Sequence, residues 1–161
     1  MPSHAVAYDT DFYAWVQDQA ALLAARHFEE LDLPHLVEEL QLMGNSERGE
    51  LSNRLSVLLA HLLKLRIASE RLPYVYDRAQ RGWHLTGTEQ RLQLRKLLRR
   101  NPSLHRTVPD ELPDAYAIAR LQAAIALGVD EASVPLACPW TPEQVLDEEF
   151  WLAEASPQDP R

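Results

Sequence analysis

His61 lies in the most apolar run of the chain, Leu55 to Ala68, which is otherwise interrupted chiefly by Lys64 and Arg66. A histidine in such surroundings, with carboxylates in reach, is raw material for a metal site or for acid–base work. Glu38 and Glu39 are the carboxylates that can reach it, provided their segment packs antiparallel to the run. The same three residues equally describe a core histidine whose ring nitrogens are satisfied by a carboxylate or carbonyl, and that is the expected use. Di-metal bundles typically use two Glu-x-x-His pairs, and this chain has none. The nearest pattern, Asp32-x-x-His35, falls at a helix start. No metal or cofactor is therefore expected, and Glu38, Glu39 and His61 are kept as the catalytic candidates of a rival reading, a small metal-dependent hydrolase.

Arg91, Arg95 and Arg99 recur every four residues, with Lys96 and Arg100 on the next ridge. Each like-charged pair costs an isolated helix a few tenths of a kcal/mol, so something must offset the ladder. The net charge of −8 is unevenly spread: residues 1–53 carry ten acids and two bases, residues 54–106 three acids and twelve bases, and residues 107–161 eleven acids and two bases. Glu38, Glu39, Glu47 and Glu50 are available to balance the ladder internally. A polyanion is the alternative, which makes Arg91, Arg95 and Arg99 binding candidates and nucleic-acid recognition through 91–100 a second rival. Two acidic thirds would repel a duplex, so nucleic-acid binding at physiological salt is not expected.

Cys138 precedes a helix cap at Thr141, where a helix dipole can lower a thiol pKa. No general base is evident beside it, and a small anchoring hydrophobe is the expected role. Phe12, Trp15, Trp83, Trp140, Phe150 and Trp151 fall on apolar stripes or connectors and are expected to pack. Phosphate-cradling glycine loops, H-E-x-x-H and C-x-x-C are all absent from the sequence.

The elements that would position these residues are helical. Leu51, Leu55, Leu58, Leu62 and Leu65 alternate in steps of four and three, and apolar residues fill most other sides, which predicts a buried central helix over 46–70. A first helix is expected over 11–26, capped by Asp9 or Thr10. A second starts at Asp32-Leu33-Pro34 and either breaks at Gly44-Asn45, which is the favoured reading, or bends there and continues into the central helix. Pro73 ends the central helix, and 72–88 reads as a connector with its aromatics turned inward. Further helices are expected over 88–100 and 110–127, the latter capped by Gly128. Thr141-Pro142-Glu143-Gln144 is a capping box that opens a short last helix. Phe150 and Trp151 are expected to dock.

The chain resembles a bacterial family, domain of unknown function number twenty-nine. The resemblance rests on Tyr8-Asp9-Thr10-Asp11-Phe12-Tyr13-Ala14-Trp15, on Leu31-Asp32-Leu33 with Val37-Glu38-Glu39-Leu40, and on Leu59-Ala60-His61-Leu62-Leu63-Lys64. It continues in Glu89-Gln90-Arg91, Asn101-Pro102-Ser103-Leu104, and Cys138-Pro139-Trp140-Thr141 running into Gln144-Val145-Leu146-Asp147. It covers about Tyr8 to Trp151 and implies an all-helical fold, with no activity or catalytic residue to carry over. One departure is Gly87, where an apolar residue is expected to start a helix.

The expectation is an all-α protein, a single helical bundle of about five or six helices over 8–152, with loose termini at 1–7 and 153–161. The N-terminus lacks a basic start followed by an apolar core, and no apolar run approaches a membrane span. A lone cysteine suits a reducing cytoplasm. The function expected is a non-enzymatic module that binds a macromolecule, a protein partner or a second copy of itself.

Overall fold

The computed structural model describes residues 8–152, and the expected loose termini lie outside them. The fold is all-α: among the described residues there are five α-helices, three short 3-10 turns and no strand. The chain divides into two compact units, one up to Ser46 and one from Glu47 onward.

In the first unit, α1 spans Phe12–Ala25. Its N-cap is Asp11, not the expected Asp9 or Thr10; the Asp11 carboxylate accepts from Ala14 N–H at 3.0 Å. The helix ends on Arg26 in the left-handed region, with φ 62°. A 3-10 turn at Phe28–Glu30 then leads to α2, which starts at Leu33. Asp32 locks this reversal. Its N–H donates to Gln19 Oε1 (2.8 Å), which explains why Gln19 is buried, and its carboxylate accepts from Trp15 Nε1–H (3.2 Å) and bonds His35 Nδ1 (2.7 Å). Trp15 and Gln19 of α1 are thus tied to the start of α2.

The expected break at Gly44-Asn45 does not occur. Helix α2 runs from Leu33 to Arg71, 39 residues, through Gly44 and Gly49. A helical glycine costs only about 1 kcal/mol relative to alanine, whereas breaking a helix leaves four carbonyls and four N–H groups to be satisfied at the new ends. No proline or capping box supplies that satisfaction near Ser46. A Cβ added at Gly44 would meet nothing within 4 Å, and its φ is not positive. Gly44→Ala is therefore expected to stabilise the protein by up to about 1 kcal/mol, read as a higher urea midpoint. A loss of stability would show that Gly44 serves a bend.

In the second unit, α3 spans Pro73–Arg100. The expected connector 72–88 is helical from Pro73 onward. Pro73 ends α2 and also starts α3, since a proline in a first turn lacks only an N–H that would be unpaired there. Gly82 and Gly87 are too sparse to break the helix. A 3-10 stretch, Pro102–Thr107, leads to α4, Val108–Leu127, which ends on Gly128 at φ 65°, as its sequence predicts. The last helix, α5, is Pro142–Leu146, with both capping-box bonds formed.

The Leu51–Ile67 part of α2 supplies the centre of this unit. Leu51, Leu55, Leu58, Leu59, Leu62 and Leu63 are fully buried, packed with Leu94 of α3, Tyr116 of α4 and Val145 of α5. On α4 the buried face includes the small residues Ala115, Ala119, Ala123 and Ala124, while Leu121 and Ile125 face outward. Small side chains let α4 approach closely. The C-terminal segment docks as expected: Trp140 and Val145 are buried, and Phe150 and Trp151 pack against the core.

Candidate binding sites

His61 is half-buried on α2, and both ring nitrogens are engaged. Nδ1 lies 2.8 Å from the Val57 carbonyl one turn back, so it carries the proton and donates. Nε2 is then the acceptor, 3.1 Å from Lys64 Nζ. Lys64 in turn lies over the Trp83 ring, 5.4 Å from its centroid. The partner carbonyl is in the same helix, not in a packed neighbour, because the antiparallel pair assumed for Glu38 and Glu39 required a break that α2 does not have. Glu38 and Glu39 belong to the first unit, where Glu39 accepts a hydrogen bond from the Tyr8 hydroxyl, and His61 belongs to the second. Among the described residues, no three His, Cys, Asp or Glu side chains are grouped so as to hold a metal ion.

Burial holds the His61 pKa below its ordinary 6.5, against the pull of the Val57 carbonyl; the Lys64 charge adds to the depression. The sign of the linkage follows. The unfolded chain binds the proton more readily, so the contribution of His61 is full above about pH 6.5 and is lost as pH falls towards the lowered folded value. His61→Gln, which keeps a donor for the Val57 carbonyl, is expected to flatten part of the stability loss between pH 7 and pH 5. Parallel urea melts of both proteins check this, and an unchanged pH slope would contradict it.

Cys138 is half-buried, and its thiol donates weakly to the Trp140 carbonyl at 3.4 Å. Burial pushes its pKa up, opposite to the lowering that a helix dipole would give. The following helix has only five residues, too few for a strong dipole.

The arginine ladder is split by packing. Arg91 is 2% exposed. Its Nε–H donates to the Val145 carbonyl at 2.9 Å, and its guanidinium sits 4.5 Å from the Trp151 ring centroid. Arg95 stays on the surface and pairs with Glu148 at 2.8 Å. Arg100 pairs with Glu47, whose other oxygen accepts from Asn101. Of the four acids available in the sequence, Glu47 meets the basic ridge, and Glu50 goes instead to Arg54 (2.9 Å). Glu148 is not one of the four, because the docking of α5 on α3 joins residues distant in sequence. Arg91, Arg95 and Arg99 do line one groove, of about 470 Å³, beside Leu98, His105 and Glu148.

A second concavity lies in the first unit, between α1 and the start of α2. It measures about 450 Å³, and its walls include Phe12, Trp15, Leu23, Leu36, Leu40 and Met43. Leu40 and Met43 are each 65% exposed, and Phe12 is 49% exposed. Periodicity places these side chains on apolar stripes, but a stripe does not reveal whether anything covers it.

The profile of Domain of unknown function DUF29 matches residues 7–151. The chain belongs to this family. The match covers nearly the whole chain, as the motifs had implied. No curated protein and no solved structure matches it significantly. No described helix of this DUF29 protein is long and apolar enough to cross a membrane.

Proposed function

We propose that this DUF29 protein is a non-enzymatic interaction module of the bacterial cytoplasm, and that the groove between α1 and the start of α2 holds an amphipathic helix of a protein partner. The observation that carries this reading is the exposure of Phe12, Leu40 and Met43 along one apolar concavity. Two helices bury little by themselves; in α1 only Trp15 and Gln19 are buried. Contiguous exposed apolar surface of this kind marks interaction sites, and helix-in-groove docking is the mode that suits it. A methionine at the rim allows the groove to adapt to its occupant.

The chemistry of the partner follows from charge. Residues 1–46 hold eight acids and one base, and Glu39 lies in the groove wall. A helix with an apolar stripe flanked by lysine or arginine complements it. The test is titration calorimetry with a basic amphipathic helical peptide. Micromolar binding is expected, and Leu40→Asp should weaken it at least ~30-fold, since it places a carboxylate in an apolar contact. Leu40 is exposed, so folding should be retained. Equal binding by the variant would reject the groove. Concentration-dependent self-association that Leu40→Asp abolishes would assign the groove to a second copy of the chain instead.

A further inference from the structure

Arg91 is a buried guanidinium with most of its donors unused. Nε–H alone is satisfied, by Val145; Nη1 and Nη2 are buried and have no hydrogen-bond partner among the described residues. Buried polar groups are normally paired, with protein, water or a ligand, so these nitrogens can take a further acceptor. The groove that Arg91 lines supplies a place for one. Arg95 and Arg99 line it as well, together with His105. Arg99 makes no hydrogen bond or ion pair among the described residues. Glu148, which also lines the groove, neutralises one of the three arginines. The Asp147 carboxylate also acts on Arg91, and the groove keeps a net positive charge.

We propose that this groove binds an organic phosphate monoester. Its phosphate faces Arg91, Arg95 and Arg99, and its ester group lies against Leu98, Pro102 and Leu146. A guanidinium fork matches phosphate oxygens bidentately. A monoester offers three acceptor oxygens and nearly two negative charges near neutral pH, which suits three guanidinium groups better than the two oxygens and single charge of a carboxylate. The apolar wall gives the ester group a surface that inorganic phosphate cannot use. A ligand reaches the covered nitrogens of Arg91 only after a side-chain shift in the groove wall, to which the Arg95–Glu148 pair belongs. Those side chains are 58% and 44% exposed, and such surface pairs contribute little to stability. The groove volume of about 470 Å³ falls within the range of small-ligand sites.

Titration calorimetry of the full chain with phenyl phosphate, in a phosphate-free buffer at neutral pH, tests this. Saturable binding with a sub-millimolar Kd is expected. Arg95→Ala and Arg99→Ala, both at exposed positions, should each weaken it about tenfold. Glu148→Gln should tighten it, because it removes the one carboxylate from the groove; a purely structural arginine cluster would not respond in that way. Absence of saturable heat up to ~10 mM ligand would overturn the proposal, as would affinity unchanged in both arginine variants. Phenylacetate binding as tightly as phenyl phosphate would overturn the assignment of phosphate. Inorganic phosphate binding as tightly would remove the role of the apolar wall. An oligonucleotide that binds more tightly than the monoester would move the site to nucleic acid.

Discussion

Gly87→Val should destabilise the protein by about 2–3 kcal/mol, which for a chain of this size lowers Tm by very roughly 5–10 °C. Gly87 lies inside α3 and is buried. A Cβ placed on it would stand 2.8 Å from Trp151 Cη2 and 3.1 Å from Cζ3, with Leu58 Cδ1 at 3.7 Å. The Trp151 ring therefore rests directly on the helix backbone. On propensity alone, a larger residue in mid-helix would gain a few tenths of a kcal/mol over glycine, so the expected sign comes from packing. Valine adds two methyl groups beyond the Cβ, and Leu58, in the fully buried stripe of α2, has no space to yield. The rigid indole must move away, uncovering Leu58 and the face of Arg91. Denaturant melts measure the loss. A cycle with Trp151→Ala locates its cause: the double variant should lose less than the two single losses together, because the clash is gone. Strict additivity would show that Trp151 does not sit there. The same contact accounts for glycine at the position where the resemblance leads one to expect an apolar side chain: a ring occupies the place of its Cβ.

Arg91→Ala should cost about 2–4 kcal/mol, the balance of several opposing terms. The side chain is 2% exposed and does three things at once. It fills space between α3 and α5, it donates to the Val145 carbonyl, and it covers the Trp151 ring. Removing it leaves a cavity, a buried carbonyl without its donor, worth about 1–3 kcal/mol, and an indole face without its cation, worth about 0.5–2 kcal/mol. Relief of the buried charge offsets part of that sum, since burial already pushes the Arg91 pKa down, against the pull of Asp147 and Glu148. Arg91→Lys keeps a cation but cannot offer Nε–H in the same plane, and should fall between the two. Arg95→Ala serves as control, because its pair with Glu148 is surface-exposed and should matter by less than about 1 kcal/mol. If Arg91→Ala and Arg95→Ala cost the same small amount, Arg91 is not the tie between α3 and the C-terminal segment.

The sequence by itself determined the class of fold, the family, the buried central stretch and two of the helix caps. Leucines at steps of three and four specify a buried helix wherever they occur, and local signals such as Gly128 and Thr141-x-x-Gln144 act through atoms only a few residues apart. Punctuation was legible less well. Gly44, Pro73, Gly82 and Gly87 read as breaks, yet a glycine costs a helix only about 1 kcal/mol and a proline can open one, so α2 and α3 run through or start at them. What only the tertiary structure decided was the fate of each polar candidate. The ladder of Arg91, Arg95 and Arg99 is one motif in sequence. Folding makes of it a buried strut, an ion pair with Glu148 and a charge that forms no ion pair among the described residues. His61 uses the carbonyl of its own helix. Periodicity gives the direction of a side chain around its helix, whereas its partners are set by which other helix docks there, and contacts such as Arg91 with Val145 span 54 residues that no local pattern links.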